Sequence, residues 1–184
     1  MSEPAEVLVE RSYSSPLGRL RLIACEDALV GLYFPDHQPI PAVSPAQTVA
    51  ALEHPVLERA AAQLDAYFAG SLQRFTLPLA PRGTAFQREV WAMLRELPHG
   101  RTCSYATLAR MLGRPRAVRA VGSANARNPL SIIVPCHRVL GSKGDLSGYA
   151  GGLARKRWLL EHEGLELATP GPRPQLELWA GMVS

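Results

Sequence analysis

The sequence predicts an α+β protein: a small N-terminal lobe of antiparallel β-sheet with a helix, then a mostly helical C-terminal lobe with a helix-turn-helix and a reactive-cysteine candidate. Three observations predict it. Before residue 35 the chain alternates short apolar runs with turn-forming residues. From Pro55 the apolar residues fall at helical spacing. Further on, two short helical segments are joined by Gly113-Arg114-Pro115, which is the outline of a helix-turn-helix.

Taken in order, Val7–Tyr13, Leu17–Cys25 and Leu29–Phe34 read as strands, divided by Ser14-Ser15-Pro16 and by Glu26-Asp27. Their short spacing predicts a meander. Pro35–Pro45 is rich in proline and polar residues and reads as a connector. Val56, Leu57, Ala60, Leu64, Tyr67 and Phe68 then make one apolar stripe over Pro55–Phe68, with Gly70 as a stop. Ser71–Arg82, which holds Pro78 and Pro81, reads as the bridge between lobes. The second lobe opens on a capping-box pattern, Thr84-Ala85-Phe86-Gln87. Phe86, Val90, Met93, Leu94 and Leu97 form the stripe of its first helix, ended by Pro98-His99-Gly100. Tyr105–Leu112 and Arg116–Ala126 follow as the paired helices. Ile132-Ile133-Val134 is predicted as a short buried strand, with Pro135 holding its last residue extended. A glycine-rich stretch, Gly141–Gly152, leads to a last helix near Leu153–Glu163, stopped by Gly164. The expected division is 1–80, 81–168 and a loose tail over 169–184.

The chain has 184 residues, 47% apolar and 20% charged, which suits one compact domain or two small lobes and excludes wholesale disorder. No run approaches the roughly 18 apolar residues of a membrane span. The acidic MSEPAEVLVE start shows no secretory signal, and three cysteines make no closed disulfide framework. The expectation is therefore a cytoplasmic protein with reduced thiols. The net charge of +4 is unevenly spread: residues 1–81 carry five basic and nine acidic groups, residues 82–184 fifteen and seven. Arg101–Lys143 holds eight basic residues and no acid, which reads as a footprint for a polyanion or as a solvated basic face.

Pro135-Cys136-His137-Arg138 concentrates the chemistry. A thiol beside an imidazole and a guanidinium has neighbours that favour the nucleophilic thiolate. A buried cysteine that only fills space is the commoner case. On an extended chain adjacent side chains point apart, so a turn or a bridging water is needed for His137 to serve Cys136. The second helix of the pair is smooth, with Ala117, Val118, Ala120, Val121, Gly122, Ser123, Ala124 and Ala126 leaving Arg116, Arg119, Asn125 and Arg127 as arms. Such a helix suits close approach to a narrow groove with one arginine as wedge, and equally suits an alanine-rich core position.

These residues resemble a family. RAVGSANARNPLSIIVPCHRVLGSKGDLSGYAGGLARKRWLLEHEG, with FQREVW and SYATLARMLG upstream, strongly resembles the methylated-DNA–protein-cysteine methyltransferases (O6-alkylguanine-DNA alkyltransferases) in their bacterial single-domain form. SPLGRLRLIACEDALVGLYF resembles their N-terminal lobe more loosely. The resemblance implies a ribonuclease-H-like first lobe and a C-terminal DNA-binding and alkyltransferase domain. It implies a DNA repair activity that flips O6-alkylguanine, and less efficiently O4-alkylthymine, out of duplex DNA and moves the alkyl group irreversibly onto Cys136, once per molecule. His137 and Glu163 would complete a Glu–His–water–Cys relay. Tyr105 would meet the flipped base, and Asn128 would tie the recognition helix to the active-site strand. Val139, Ser147, Gly148, Tyr149, Ala150 and Gly151, with Tyr105, would line the pocket. Arg119 would replace the extruded base, and Arg116, Ala117, Ala120, Ser123, Ala124 and Arg127 would meet the DNA backbone in the minor groove, largely without regard to sequence. No cofactor and no metal are implied, nor a membrane; the protein would be a monomer free in solution and open to cooperative loading on DNA. Ala150 stands where some members carry serine, which removes one hydroxyl from the pocket. Three other readings compete: a non-catalytic relative that binds alkylated bases and flags them for other repair machinery, a cysteine hydrolase, and a plain transcription regulator. The first would carry tryptophan in place of Cys136, the second leaves the helix-turn-helix unexplained, and the third leaves the PCHR run idle.

Overall fold

A computed structural model describes residues 7–37, 48–50 and 53–167. Most of the Pro35–Pro45 connector and the whole 169–184 tail lie outside the described residues. The fold is mixed α+β, and the chain divides into two compact units. One comprises residues 1–82 with Pro129–Ser131, the other 83–128 with 132–184.

In the first unit the meander is present as β1 (Leu8–Ser15), β2 (Gly18–Ala24) and β3 (Leu29–Tyr33), paired antiparallel. Strand β1 extends through Ser14 and Ser15, so the turn is shorter than the sequence predicts. Ser15 pairs with Gly18, and the Ser15 hydroxyl accepts from the Leu17 N–H at 3.1 Å while donating to the Gly18 carbonyl. A further strand, β4 (Thr48–Ala50), runs parallel to β1 and sets the sheet order β3-β2-β1-β4. Helix α1 (Pro55–Phe68) covers the sheet. Proline suits its first turn, where a missing N–H costs nothing. Its stripe buries Val56, Leu57, Ala60, Leu64 and Tyr67, and Gly70 takes the left-handed φ of 75° that follows a helix end.

Two segments distant in sequence add to the β3 side. The bridging segment pairs with Leu29, whose N–H donates to the Pro78 carbonyl and whose carbonyl accepts from Ala80. Pro129–Ser131 pairs with Leu32 in the same way. The first unit therefore runs to Arg82, two residues past the expected end at 80, and three residues from the second lobe's sequence belong to it. Unpaired backbone N–H and C=O groups on a buried strand are costly, and these segments satisfy them.

The second unit begins with α2 (Ala85–Arg95), closed at its start by the expected capping box: the Thr84 hydroxyl accepts from the Gln87 N–H, and the Gln87 amide oxygen from the Thr84 N–H. Trp91, which the stripe read from sequence omits, is buried and donates its indole N–H to the Ala124 carbonyl at 2.8 Å. The paired helices are α3 (Tyr105–Met111) and α4 (Val118–Ala126). Helix α4 starts two residues later than predicted, because Ala117 donates its N–H to Arg114 in the turn. Strands β5 (Cys103–Ser104) and β6 (Val139–Leu140) form a small parallel ladder, and α5 (Leu153–His162) completes the unit. This ladder positions the site. Strand β5 runs straight into Tyr105, and β6 follows directly on Cys136–Arg138.

The predicted strand at Ile132–Val134 is absent; those residues form turns. Ile132 sits at φ 70°, a left-handed conformation that costs a β-branched residue about 1–3 kcal/mol. Pro135, at φ −80° and ψ 62°, centres an inverse γ-turn in which the Cys136 N–H donates to the Val134 carbonyl at 2.8 Å. Alternating strand geometry would have thrown Cys136 and His137 to opposite sides, whereas here they open a single 3-10 turn over Cys136–Arg138. Among the described residues no helix is long and apolar enough to cross a membrane.

Candidate active site

Glu163, just past the end of α5, is the hub of the site. Its carboxylate accepts from His137 Nε2 at 2.8 Å, from Arg138 Nε and Nη2 at 2.8 Å each, and from the Gly100 N–H at 3.2 Å. These donors hold Glu163 charged, well below the usual carboxylate range, although burial alone would push it up. A charged carboxylate only accepts hydrogen bonds, so His137 Nε2 carries the proton and donates it. The neutral ring then presents Nδ1 as a bare lone pair, and Nδ1 is buried with no hydrogen-bond partner among the described residues. Burial holds His137 below its ordinary value of 6.5 despite Glu163. An oriented, unprotonated imidazole nitrogen is the equipment of a general base.

Cys136 lies at the start of the 3-10 turn, 2% exposed. Asn128 donates its amide to Cys136 Sγ at 3.1 Å and to the Val134 carbonyl at 2.8 Å, fixing both the sulfur and the γ-turn behind it. Burial pushes the thiol up from its ordinary value of 9.0; Asn128, the Lys156 charge and backbone N–H groups pull the other way. The resting sulfur is therefore a protonated thiol. This corrects the expectation that adjacent His137 and Arg138 favour the thiolate at rest. Arg138 turns from the sulfur to Glu163 and to the Leu97 carbonyl, and His137 is neutral. Cys103 is also buried and is pushed up to about 12 by burial.

Tyr105 places its hydroxyl 3.3 Å from the Ser147 carbonyl and 3.2 Å from the Gly148 carbonyl. Burial raises it to about 12, so it stays a proton-bearing donor at neutral pH. Tyr149 sets its ring edge-on to His137, with centroids 6.5 Å apart. Ala150 and Gly151 are buried, and Gly148 takes φ 51° with only 3.2 Å between the Tyr105 hydroxyl and a β-carbon built there. Any larger residue at Gly148 would crowd the phenol. The expected site residues fall into three hydrogen-bonded groups: Cys136 with Asn128, His137 with Glu163, and Tyr105 with the Ser147 and Gly148 carbonyls. Asn128 ties to a turn, not to the strand the sequence suggests.

Sequence reasoning missed three contributors. Arg138 reads from sequence as a neighbour of the sulfur, Gly100 only as part of a helix stop, and Lys156 carries no role beyond its place in the last helix. Glycines inside turns and long cations inside amphipathic helices carry no local sign of such roles.

On α4 and the residues flanking it, Arg116, Arg119, Ala120, Ser123 and Arg127 are exposed, and Ala117 is half-buried just before the helix. Arg127 reaches back to the Ser123 hydroxyl. Ala124 departs from the expected exposed face: it is 2% exposed, beneath Trp91. Asn125, read from sequence as an arm, is likewise buried. Of the eight cations in the basic block, Arg114 pairs with Glu89 at 2.9 Å and Arg138 with Glu163, so acids from outside the block neutralise two.

The two buried titrations set a pH dependence. A histidine held below its unfolded value is penalised once the unfolded chain begins to bind a proton, so stability is lost as pH falls below about 6.5. His37 in the first unit, lowered to about 4 by burial, acts in the same sense. Glu163, lowered, contributes stability above about pH 4.3 that is lost on further acidification. The melting temperature is expected to be level from pH 8 to 7 and to decline steadily below 6.5. A flat profile down to pH 5 would contradict the neutral assignment of His137.

Fold and site together define a class: a helix-turn-helix lobe that carries a buried thiol next to a carboxylate-oriented imidazole. Comparison with known proteins gives the particular family. The profile of the 6-O-methylguanine DNA methyltransferase DNA-binding domain matches residues 85–165, and that of the same proteins' ribonuclease-like domain matches residues 8–81. The methylated-DNA–protein-cysteine methyltransferase of Mycobacterium leprae is 45% identical over 159 residues, 86% of this chain and 94% of that protein. That of Shigella flexneri is 59% identical over 103 residues, 55% of this chain, and the match spans 60% of the relative's length. Among solved structures, the OGT of Mycobacterium tuberculosis in complex with DNA has a TM-score of 0.77 at 44% identity, covering 84% of this chain and 91% of that one. The chain belongs to the methylated-DNA–protein-cysteine methyltransferase family.

Proposed function

We propose that this protein repairs DNA by moving the alkyl group of O6-alkylguanine onto Cys136, in one irreversible turnover per molecule. The observation that carries this reading is the orphaned His137 Nδ1 beside a Glu163 that fixes the ring's tautomer. It is what thiol deprotonation needs in a site where the resting thiol is neutral. A water between Sγ and Nδ1 passes the thiol proton to His137. The sulfur lone pair attacks the alkyl carbon, forming the S–C bond as the C–O6 bond breaks and its electron pair goes to guanine. Tyr105 supplies a hydrogen bond as charge develops on the base, and the released guanine ends with the proton lost by the thiol. The product is a thioether with no good leaving group, so the cysteine is not regenerated.

The base must leave the helix to reach a sulfur that is 2% exposed. The exposed face of α4, with small Ala120 and Ser123 between Arg116, Arg119 and Arg127, suits close approach to the minor groove of double-stranded DNA, with Arg119 taking the place of the extruded base. Because the arms are cations directed at phosphate, binding is largely sequence-independent and weakens as salt rises. Val139, Ser147 and Tyr149–Gly151 form the pocket, and O4-alkylthymine is the poorer substrate. The protein acts as a cytoplasmic monomer and needs no cofactor or metal.

Peptide mass measurement after incubation with an O6-methylguanine duplex tests the reading. One methyl on Cys136 is expected. A methyl on Cys25 or Cys103 would overturn the assignment, and duplex binding with no methyl on any cysteine would favour a lesion-flagging role. Arg119→Ala is expected to slow repair of duplex by about tenfold or more, in line with a lost wedge worth roughly 1–3 kcal/mol, while reaction with free O6-benzylguanine changes little. Equal slowing of both would refute the wedge.

A further inference from the structure

Asn125 is the polar side chain of α4 that neither the DNA-facing surface nor the steps above use. It lies in the last turn of the helix, 2% exposed, on the inward face that also buries Val121 and Ala124. A primary amide there forfeits the hydration of two donors and an acceptor, a cost that an apolar residue of the same size would not carry. Its Oδ1 is buried with no hydrogen-bond partner among the described residues. The other end of the amide is engaged: Nδ2 donates to the Tyr105 hydroxyl oxygen and offsets part of the upward push of burial on that phenol. Gly122, one turn earlier, leaves 3.8 Å between a β-carbon built there and Tyr105 Cδ1, so this face of α4 closes on the tyrosine ring.

We propose that Asn125 is a positioning residue for the alkyl transfer, whose buried amide holds the Tyr105 phenol by its oxygen and so turns the phenol proton toward the departing guanine. The proposal rests on the reading of Tyr105 as a donor to that base. A phenol oxygen that accepts from Asn125 cannot swing its proton back toward α4. The proton is left to the pocket side, where the Ser147 and Gly148 carbonyls are its acceptors at rest. As the C–O6 bond breaks and its electron pair moves to the base, a hydroxyl that already accepts one hydrogen bond is the stronger donor in the next. The unsatisfied Oδ1 fits this use, because an amide kept in a buried place with one end unpaired is kept for its other end.

Asn125→Leu keeps the size of the side chain and removes the donor. Two reactions of Cys136 that need no DNA separate positioning from packing: O6-benzylguanine, whose guanine leaves as charge develops on it, and methyl iodide, whose iodide leaves without a donor. In Asn125→Leu the first is expected to slow by about tenfold, the worth of one hydrogen bond, and the second to stay within about twofold. In a Tyr105→Phe background, Asn125→Leu is expected to slow O6-benzylguanine no further. Equal slowing with both reagents, or undiminished slowing in the Tyr105→Phe background, would reduce Asn125 to a packing residue and overturn the proposal. A second measurement holds even where Asn125→Leu fails to fold: the side-chain amide of Asn125, followed by nuclear magnetic resonance, is expected to shift and to exchange faster with water in Tyr105→Phe than in the unaltered protein. An identical amide signal in the two would reject the proposal. An unaltered protein that leaves O6-benzylguanine unreacted would sink the alkyltransferase reading and the proposal with it, whereas equal rates for the unaltered protein and Asn125→Leu would sink the proposal alone.

Discussion

Cys136→Ser is expected to abolish alkyl transfer, by about a thousandfold or more, while duplex binding stays within about twofold of the unaltered protein. A serine hydroxyl is a far weaker nucleophile than a thiol near neutral pH, and an imidazole that suffices for Cys136 does not ionise it. Binding is expected to persist because the exposed Arg116, Arg119 and Arg127 lie on or beside α4, while Cys136 is buried in the 3-10 turn. Asn128 can donate to the serine oxygen as it does to Sγ, so the γ-turn around Pro135 is retained. Single-turnover transfer from a methylated duplex and electrophoretic binding measure the two properties separately. Loss of both would make Cys136 a structural residue, and transfer surviving in the variant would place the acceptor elsewhere.

Glu163→Gln is expected to damage both stability and chemistry. The glutamine amide keeps the volume but brings one acceptor oxygen where the carboxylate offers two, and it places an NH2 group against His137 or Arg138. Arg138, 5% exposed, is left with a buried charge and no counter-ion, a loss of about 3–5 kcal/mol. At roughly 2–4 °C per kcal/mol for a chain of this size, the melting temperature falls by about 6–20 °C. If the amide donates to Nε2, the His137 proton moves to Nδ1, and the base facing the sulfur is gone. Transfer is then expected to slow by about 10²–10⁴, measured well below the variant's melting temperature. Arg138→Met in the same background relieves the unpaired charge and is expected to restore much of the stability without restoring the rate. Full activity in Glu163→Gln would remove His137 from the mechanism.

The site was legible in the sequence to the extent that its parts are contiguous. Pro135-Cys136-His137-Arg138 announced a reactive thiol, but it also invited the reading of Arg138 as the sulfur's cation. What Arg138 does depends on Glu163, 25 residues away, and on Leu97, 41 residues away. The same limit explains Gly100, whose N–H meets a carboxylate 63 residues on, and Lys156, whose carbonyl partners lie 17 and 9 residues away. The predicted strand at Ile132–Val134 failed for a related reason. β-Branched residues prefer extended backbone locally, and here a left-handed Ile132 and the Pro135 γ-turn override that preference.

The sequence by itself determined the first three strands, the order of the five helices, the bounds of α1, the capping box of α2 and the place of a candidate reactive thiol. These depend on interactions within one turn of helix or a few residues of strand, where spacing and residue type carry the physics. Only the tertiary structure decided the pairing of β4 with β1, the inward turn of Ala124 and Asn125, the resting state of the thiol and the partners of Arg138 and Lys156. Burial and long-range hydrogen bonds decide those properties, and the cost of a buried charge is set by whichever distant groups the fold brings to meet it.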